Sequence, residues 1–257
     1  MPIVTLTSDL GNKDYYVAII KGKILSRVPN AQLVDITHEI TPFNIQEAAF
    51  VLKNTFNHFP AKTIHLVSVH AETRSDTKVV VIEHQNHYFV GMDNGLFALM
   101  TEELPKQIIA VNRAGNAPSS FLAKDIMSDV AAQLLEGKTL QSLGSPLNAL
   151  ESKTYLRPPD NNFVMRASIV YIDRFGNLIT NVSKDRFEKL REGREFVINY
   201  KRNEELREIS GTYSDVPEGE RLCLFNSSGN LEIAINKGNA SQLLGLHLDN
   251  TIQIEFE

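Results

Sequence analysis

Apolar positions in the first 150 residues recur in two alternating rhythms. The short apolar run Ile3 to Leu6 reads as a buried strand, and Gln32 to Ile36, Thr63 to Val69 and Ile108 to Val111 read as further strands. Between them, apolar residues step at helical spacing. Tyr16, Ile19, Ile20 and Ile24 follow Asp14, where a helix should begin. Ile45, Ala48, Ala49, Leu52 and Phe56 share one face of a second helix, opened by Thr41-Pro42-Phe43-Asn44 and closed by Pro60. Ile126, Val130 and Leu134 line up within a helix over Asp125 to Leu135. Lys78 to Glu83 and Tyr88 to Val90 form a hairpin about His84-Gln85-Asn86-His87, and Asp93-Asn94-Gly95 is a turn before another short helix. Strands alternating with helices predict a largely parallel sheet covered by helices, an α/β domain over residues 1–155.

The pattern changes near residue 150. Leu156-Arg157-Pro158-Pro159-Asp160-Asn161-Asn162 reads as a linker. Beyond it, Arg166 to Ile172, Leu178 to Val182, Glu195 to Tyr200, Arg207 to Ile209, Arg221 to Phe225, Leu231 to Ile235 and Thr251 to Phe256 are strand-like. Gly176-Asn177, Pro217-Glu218-Gly219 and Ser228-Gly229-Asn230 punctuate them. A smaller all-β domain, barrel or sandwich, is therefore expected over 163–257.

Composition narrows the function classes. The 257 residues are 42% hydrophobic and 22% charged, ordinary values for a globular chain. A net charge of −5 argues against a general nucleic-acid binder, because no basic excess is present to neutralise phosphates. The one cysteine, Cys223, excludes a disulfide framework and a cysteine zinc site, and its apolar neighbours make it an inert core residue. No apolar run reaches membrane-spanning length and no signal-peptide pattern opens the chain, so a cytoplasmic protein without a membrane partner is expected.

Four polar stretches can carry chemistry. Ser8-Asp9-Leu10-Gly11 places an acid at the carboxyl end of the first strand, where open α/β sheets bind ligands. A carboxylate there repels phosphate but accepts hydrogen bonds from ribose hydroxyls, which favours a nucleoside. The alternative is that Asp9 and Asp14 only cap the turn and helix. Asp93-Asn94-Gly95-Leu96, Ile172 to Asn181 and Asn226 to Ala240 combine acids, carboxamides and the aromatic Phe175 about tight turns. Carboxamides pair with an adenine edge and aromatics stack on its face, yet the same residues are what hairpin turns require.

Together, Thr7-Ser8-Asp9-Leu10-Gly11, Val34-Asp35-Ile36-Thr37-His38, Phe89-Val90-Gly91-Met92-Asp93-Asn94-Gly95, Ile172-Asp173-Arg174-Phe175-Gly176-Asn177 and the run from Asn226-Ser227 to Asn239-Ala240 resemble, in order, the S-adenosylmethionine hydroxide adenosyltransferases, relatives of the fluorinases and chlorinases. The resemblance implies a Rossmann-like N-terminal domain, a C-terminal β-barrel and a homotrimer that holds its adenosyl ligand between neighbouring subunits. It implies that Asp9 binds the ribose hydroxyls, that Asp14 and Tyr16 contact the methionine portion, and that Phe43 lines the ribose and adenine pocket. It further implies that Asp173, Phe175 and Asn177 hold the methionine amine and the adenine, that Ser227 is another methionine contact, and that the Ile235 to Lys237 backbone edges the adenine. The implied reaction is in-line attack of water or hydroxide at ribose C5′, releasing methionine and adenosine, with S-adenosylmethionine as substrate and no metal or other cofactor.

The chain departs from that family at its water-activating residues. An Asp, an Arg and a His are expected; His70, Thr77 and Leu122 stand at those positions, with Lys78 beside Thr77 and Ala123 after Leu122. Two readings stay open. His70 is a replacement base supported by Glu72, Arg74 or Lys78; or hydrolysis is lost and the protein binds adenosine or S-adenosylmethionine without turnover, His70 then being a loop histidine. A halogenase is the least supported reading, since His70 and Ala123 do not reproduce a halide pocket.

Overall fold

The computed structural model describes residues 3–71, 78–101, 103–112, 119–152 and 163–257. The chain divides into two compact units, Met1–Thr154 and Tyr155–Glu257.

The first unit is a seven-stranded mixed sheet between helices. Its strands are β1 (Ile3–Ser8), β2 (Gln32–Thr37), β3 (Ile64–Ser68), β4 (Val79–His84), β5 (His87–Met92), β6 (Gln107–Val111) and β7 (Gly144–Pro146), in the order β2-β1-β3-β5-β4-β6-β7. The expectation of a largely parallel sheet is corrected. β2, β1, β3 and β5 run parallel, but β4 is antiparallel to β5 and β6, and β6 to β7. The reason is local. Gln85 and Asn86 both take positive φ, the two-residue turn that reverses a hairpin, so β4 and β5 pair directly.

Helices α1 (Tyr16–Arg27) and α4 (Ser128–Leu135) cover one face; α2 (Ile45–Lys53) and α3 (Leu96–Met100) cover the other. In α1 the buried residues are Val17, Ile20 and Ile24, while Ile19 faces outward. α2 buries Ile45, Ala48, Ala49 and Leu52 as the spacing predicts, but it stops at Lys53 and Phe56 lies in a separate 3₁₀ turn. There Asn54 Nδ2 and Thr55 Oγ1 donate to the carbonyls of Phe50 and Val51, competing with continued helix. A π-helical turn at Ala123–Met127 precedes α4.

Under the α2 face lies a chain of buried histidines that the sequence pattern did not signal. Thr5 Oγ1 and His65 Nδ1 are 2.7 Å apart, and His65 Nε2 is 3.1 Å from His87 Nδ1. His65 stacks on Phe89, with ring centroids 4.7 Å apart, and Phe56 meets His65, His84 and His87. Burial, reinforced by the neighbouring His87, pushes His65 down to about 3. Burial also lowers His84 and His87. An unfolded chain therefore takes up protons that the folded one refuses. The stability is complete above about pH 6.5 and is lost as pH falls toward 3. For His65 alone the loss between pH 7 and pH 5 is about 2 kcal/mol. Thermal unfolding should thus shift down by several degrees over that interval, and His65→Gln should flatten the dependence; an equal slope in the variant would remove His65 as its source.

The second unit is a seven-stranded antiparallel sheet curled into a nearly closed barrel. It consists of β8 (Val164–Ile172), β9 (Leu178–Ser183), β10 (Phe196–Lys201), β11 (Glu204–Leu206), β12 (Arg221–Phe225), β13 (Asn230–Ile235) and β14 (Thr251–Phe256), in the order β11-β10-β14-β8-β9-β13-β12. The strand expected at Arg207 to Ile209 lies instead at β11. The chain after β11 meets the opposite edge, where Ser210 N donates to Cys223 O. Cys223 is fully buried in the barrel core, and burial raises its thiol to about 12. Two helices were not foreseen, α5 (Lys184–Arg191) and α6 (Ala240–Leu244). The expected linker at 156–162 lies outside the described residues.

Candidate functional site

In the first unit, β1 leads through α1 to β2 on one side, and β2 leads through α2 to β3 on the other. The chain thus reverses direction at β1 and β3, with α1 and α2 on opposite faces. A crevice opens at such a point beyond the carboxyl ends of the strands. Asp9 follows β1, His38 follows β2 and His70 follows β3, so the three loops meet there.

Asp9 is not a local cap. The residue before α1 is Tyr15, which makes no side-chain cap, and Asp14 is exposed. Asp9 Oδ2 instead accepts the backbone N–H groups of Phe43 and His70, both at 3.0 Å. Those two residues take positive φ, +68° and +50°, a conformation that bulky side chains rarely adopt. Such strain persists where its surroundings impose it, and here it aims two backbone donors at one carboxylate oxygen. Among the described residues Oδ1 takes no hydrogen bond, so its lone pairs stand open to a ligand hydroxyl.

The loops are braced from below. Ser8 Oγ lies 2.8 Å from His38 Nδ1, and Gly11 N donates to His38 O at 2.8 Å. His38 Nε2 is 3.1 Å from Asp35 Oδ1, off the line of a good hydrogen bond. Burial raises the Asp35 carboxyl, but its contacts with Lys21 and His38 outweigh this and hold it below its ordinary value. Asn94 Nδ2 donates to the carbonyls of Val69 and His70, at 3.1 and 3.4 Å. The Asp93-Asn94-Gly95 motif is therefore a brace for the His70 loop, and Asp93, pushed up by burial, accepts from Glu151 N.

Phe43 is 62% exposed and meets the His70 ring edge-on, with centroids 5.5 Å apart. Tyr16 packs its ring against Phe121. Leu122 and Ala123 are buried in the core and present no titratable group. Lys78 is exposed; Glu72, Arg74 and Thr77 lie outside the described residues. A cavity of about 500 Å³ sits at the opposite end of the strands, lined by Ile3, Ile64, Tyr88 and Leu140, and holds none of the predicted residues.

The second unit carries its own cavity, of about 540 Å³, lined by Asp173, Phe175, Asn177, Tyr213 and the Ile235 to Asn239 turn. Asp173 shapes its floor. Oδ1 accepts from Phe175 N and Asn177 N, both at 2.9 Å, and Oδ2 from Asn177 Nδ2 at 3.0 Å. Gly176 has φ +83°, and a Cβ there would fall 2.2 Å from the Asn239 side chain, so this turn admits only glycine. With its base pinned, Phe175 stands 76% exposed in the cavity. Lys237, also at positive φ, pairs with Glu218 at 2.8 Å. Ser227 lies at the exposed tip of the β12–β13 turn and does not line the cavity. Tyr213 does, and the sequence reading missed it.

Residues 4–144 match the SAM hydroxide adenosyltransferase N-terminal domain, and residues 167–253 match the corresponding C-terminal domain. The chain belongs to the S-adenosylmethionine hydroxide adenosyltransferase family. It is 34% identical to an (R)-S-adenosyl-L-methionine hydrolase from Methanocaldococcus jannaschii, over 100% of this chain and 97% of that one. It is 28% identical to an enzyme of the same name from Salinispora tropica, over 95% and 94%. The crystal structure of an uncharacterized conserved protein from Thermotoga maritima superposes with a TM-score of 0.88 at 32% identity, covering 98% of this chain and 99% of that one. Within this adenosyltransferase framework, the Asp9 and Asp173 clusters are each built by their own unit, from motifs that the sequence displays. Among the described residues no helix is long and apolar enough to cross a membrane.

Proposed function

We propose that the protein hydrolyses S-adenosylmethionine to adenosine and methionine. Water attacks ribose C5′, the C5′–S bond breaks with its electron pair going to sulfur, and the water proton passes to a base. The leaving sulfonium is already activated, so the protein's work is to align and desolvate the nucleophile and to accept its proton. The observation that carries this reading is Asp9, a carboxylate held by two strained backbone donors with one oxygen open at the sheet's switch point. Asp9 binds the ribose diol, with Phe43 beside it and Asp14 and Tyr16 toward the methionine. Asp173, Phe175, Asn177 and the Ile235 to Lys237 turn take the adenine and the methionine amine, with Ser227 as a further contact. His70, set against Phe43 by Asp9 and Asn94, is the base, and Lys78 supports it. The first unit acts as a Rossmann-like domain in the cytoplasm, with no cofactor beyond the substrate.

The exposed rings of Phe43 and Phe175 support a homotrimer in which the N-terminal unit of one subunit and the C-terminal unit of its neighbour enclose the ligand. A second reading, an adenosyl binder without turnover, is favoured by one observation: Leu122, standing where the family carries its His, is sealed in the core.

Incubation of the purified protein with S-adenosylmethionine decides between them. Adenosine released above a heat-killed control is the expected result, from a particle of three times the 28.8 kDa chain mass by light scattering. Calorimetric binding without release would establish the second reading, and neither binding nor release would sink both.

A further inference from the structure

Glu232 is an acid in the interior of β13, only 2% exposed. Burying a carboxylate is costly unless its oxygens are bonded. Its two oxygens go to two different segments, one of which carries Tyr213 and lines the second-unit cavity. Oε1 accepts the Tyr213 hydroxyl at 2.7 Å, and Oε2 accepts Asn226 Nδ2 at 3.0 Å.

Tyr213 lines the cavity, and Asn226 opens the β12–β13 turn. Tyr213 begins a 3₁₀ turn within the 211–220 strap, between β11 and β12. The strap's internal bonds run from Gly211 N and Thr212 N to Asp215 Oδ2, and Asn236 Nδ2 holds its far end through Val216 O. Tyr213 lines the cavity together with the Asp173 turn, so the Glu232 bond fixes where its ring stands relative to Phe175 and Asn177. Asn226 Oδ1 in turn accepts from Ser228 N and Asn230 N, which closes the turn that presents Ser227.

We propose that Glu232 is the positioning residue of this site: through Tyr213 it sets the aromatic wall of the cavity for an adenine nucleoside, and through Asn226 it locks the neighbouring turn. The proposal rests on the adenosyl reading above. A glutamine at 232 offers one acceptor where two donors converge, so one bond must be lost or reversed. Tyr213→Phe removes the same link from the other side and keeps the ring.

The test measures adenosine binding by calorimetry and S-adenosylmethionine kinetics for wild type, Tyr213→Phe, Glu232→Gln and the double variant. Each single change should raise the adenosine Kd and the KM about tenfold, as for loss of one charge-assisted hydrogen bond. The kcat should stay within about twofold, and the double variant should be no worse than the worse single one, because both changes break one link. A Tyr213→Phe protein with wild-type Kd, or losses that multiply in the double variant, would overturn the proposal while the adenosyl reading stands. A wild type that binds neither adenosine nor S-adenosylmethionine removes that reading and the proposal together.

Discussion

Asp9→Ala should lower the affinity for adenosine and S-adenosylmethionine by at least about a hundredfold. Two charge-assisted hydrogen bonds from a ribose diol contribute about 1.5–3 kcal/mol each, and each 1.4 kcal/mol is a factor of ten. The change reaches further than those bonds. Phe43 and His70 hold left-handed backbones whose N–H groups converge on Asp9 Oδ2. Without the carboxylate those donors lose their partner, and both loops can relax out of the crevice. Asp9→Asn keeps an acceptor oxygen but introduces an N–H₂ and removes the charge, so it should fall between wild type and alanine. Calorimetry with adenosine reads the result directly. Wild-type affinity in Asp9→Ala would end the assignment of the ribose site to this loop.

His70→Asn should reduce turnover by about a hundredfold or more and change the Kd for S-adenosylmethionine only a few-fold. General-base catalysis contributes about 10²–10⁴-fold, and asparagine cannot accept the water proton. Asparagine is chosen because it tolerates the positive φ that His70 adopts, so the backbone N–H to Asp9 is kept. Single-turnover measurement of adenosine release, paired with binding, separates the two effects. Full turnover in His70→Asn would move the proton acceptor elsewhere, and an equal loss of binding would make the imidazole a contact rather than a base.

The two predictions differ in how far the sequence could lead to them. Asp9 was legible because an acid directly after a buried strand has few local duties, yet whether it capped its own turn or reached outward was undecidable. The answer lies in Phe43 and His70, residues 34 and 61 positions away. Their positive φ values leave no mark in the residue types, since neither is glycine or asparagine. The Asp173 turn was read as either turn chemistry or ligand chemistry, and it is the first by its own hydrogen bonds while it also lines the cavity. Tyr213 gave no signal, because a tyrosine in a polar stretch between strands looks like surface until Glu232 is seen beneath it.

The sequence by itself determined the order and type of most elements, the change from α/β to β texture near residue 150, and the family. These depend on periodicity and on short motifs, which are local properties of the chain. The resemblance also implies that the water-activating positions depart from the family, at His70, Thr77 and Leu122. Only the tertiary structure decided that β6 and β7 extend the first sheet in antiparallel fashion beyond the β4–β5 hairpin, that three histidines lie buried together, and which backbone groups face Asp9. Strand partners, burial and hydrogen-bond geometry are set by residues brought together from distant positions, and no local period encodes them.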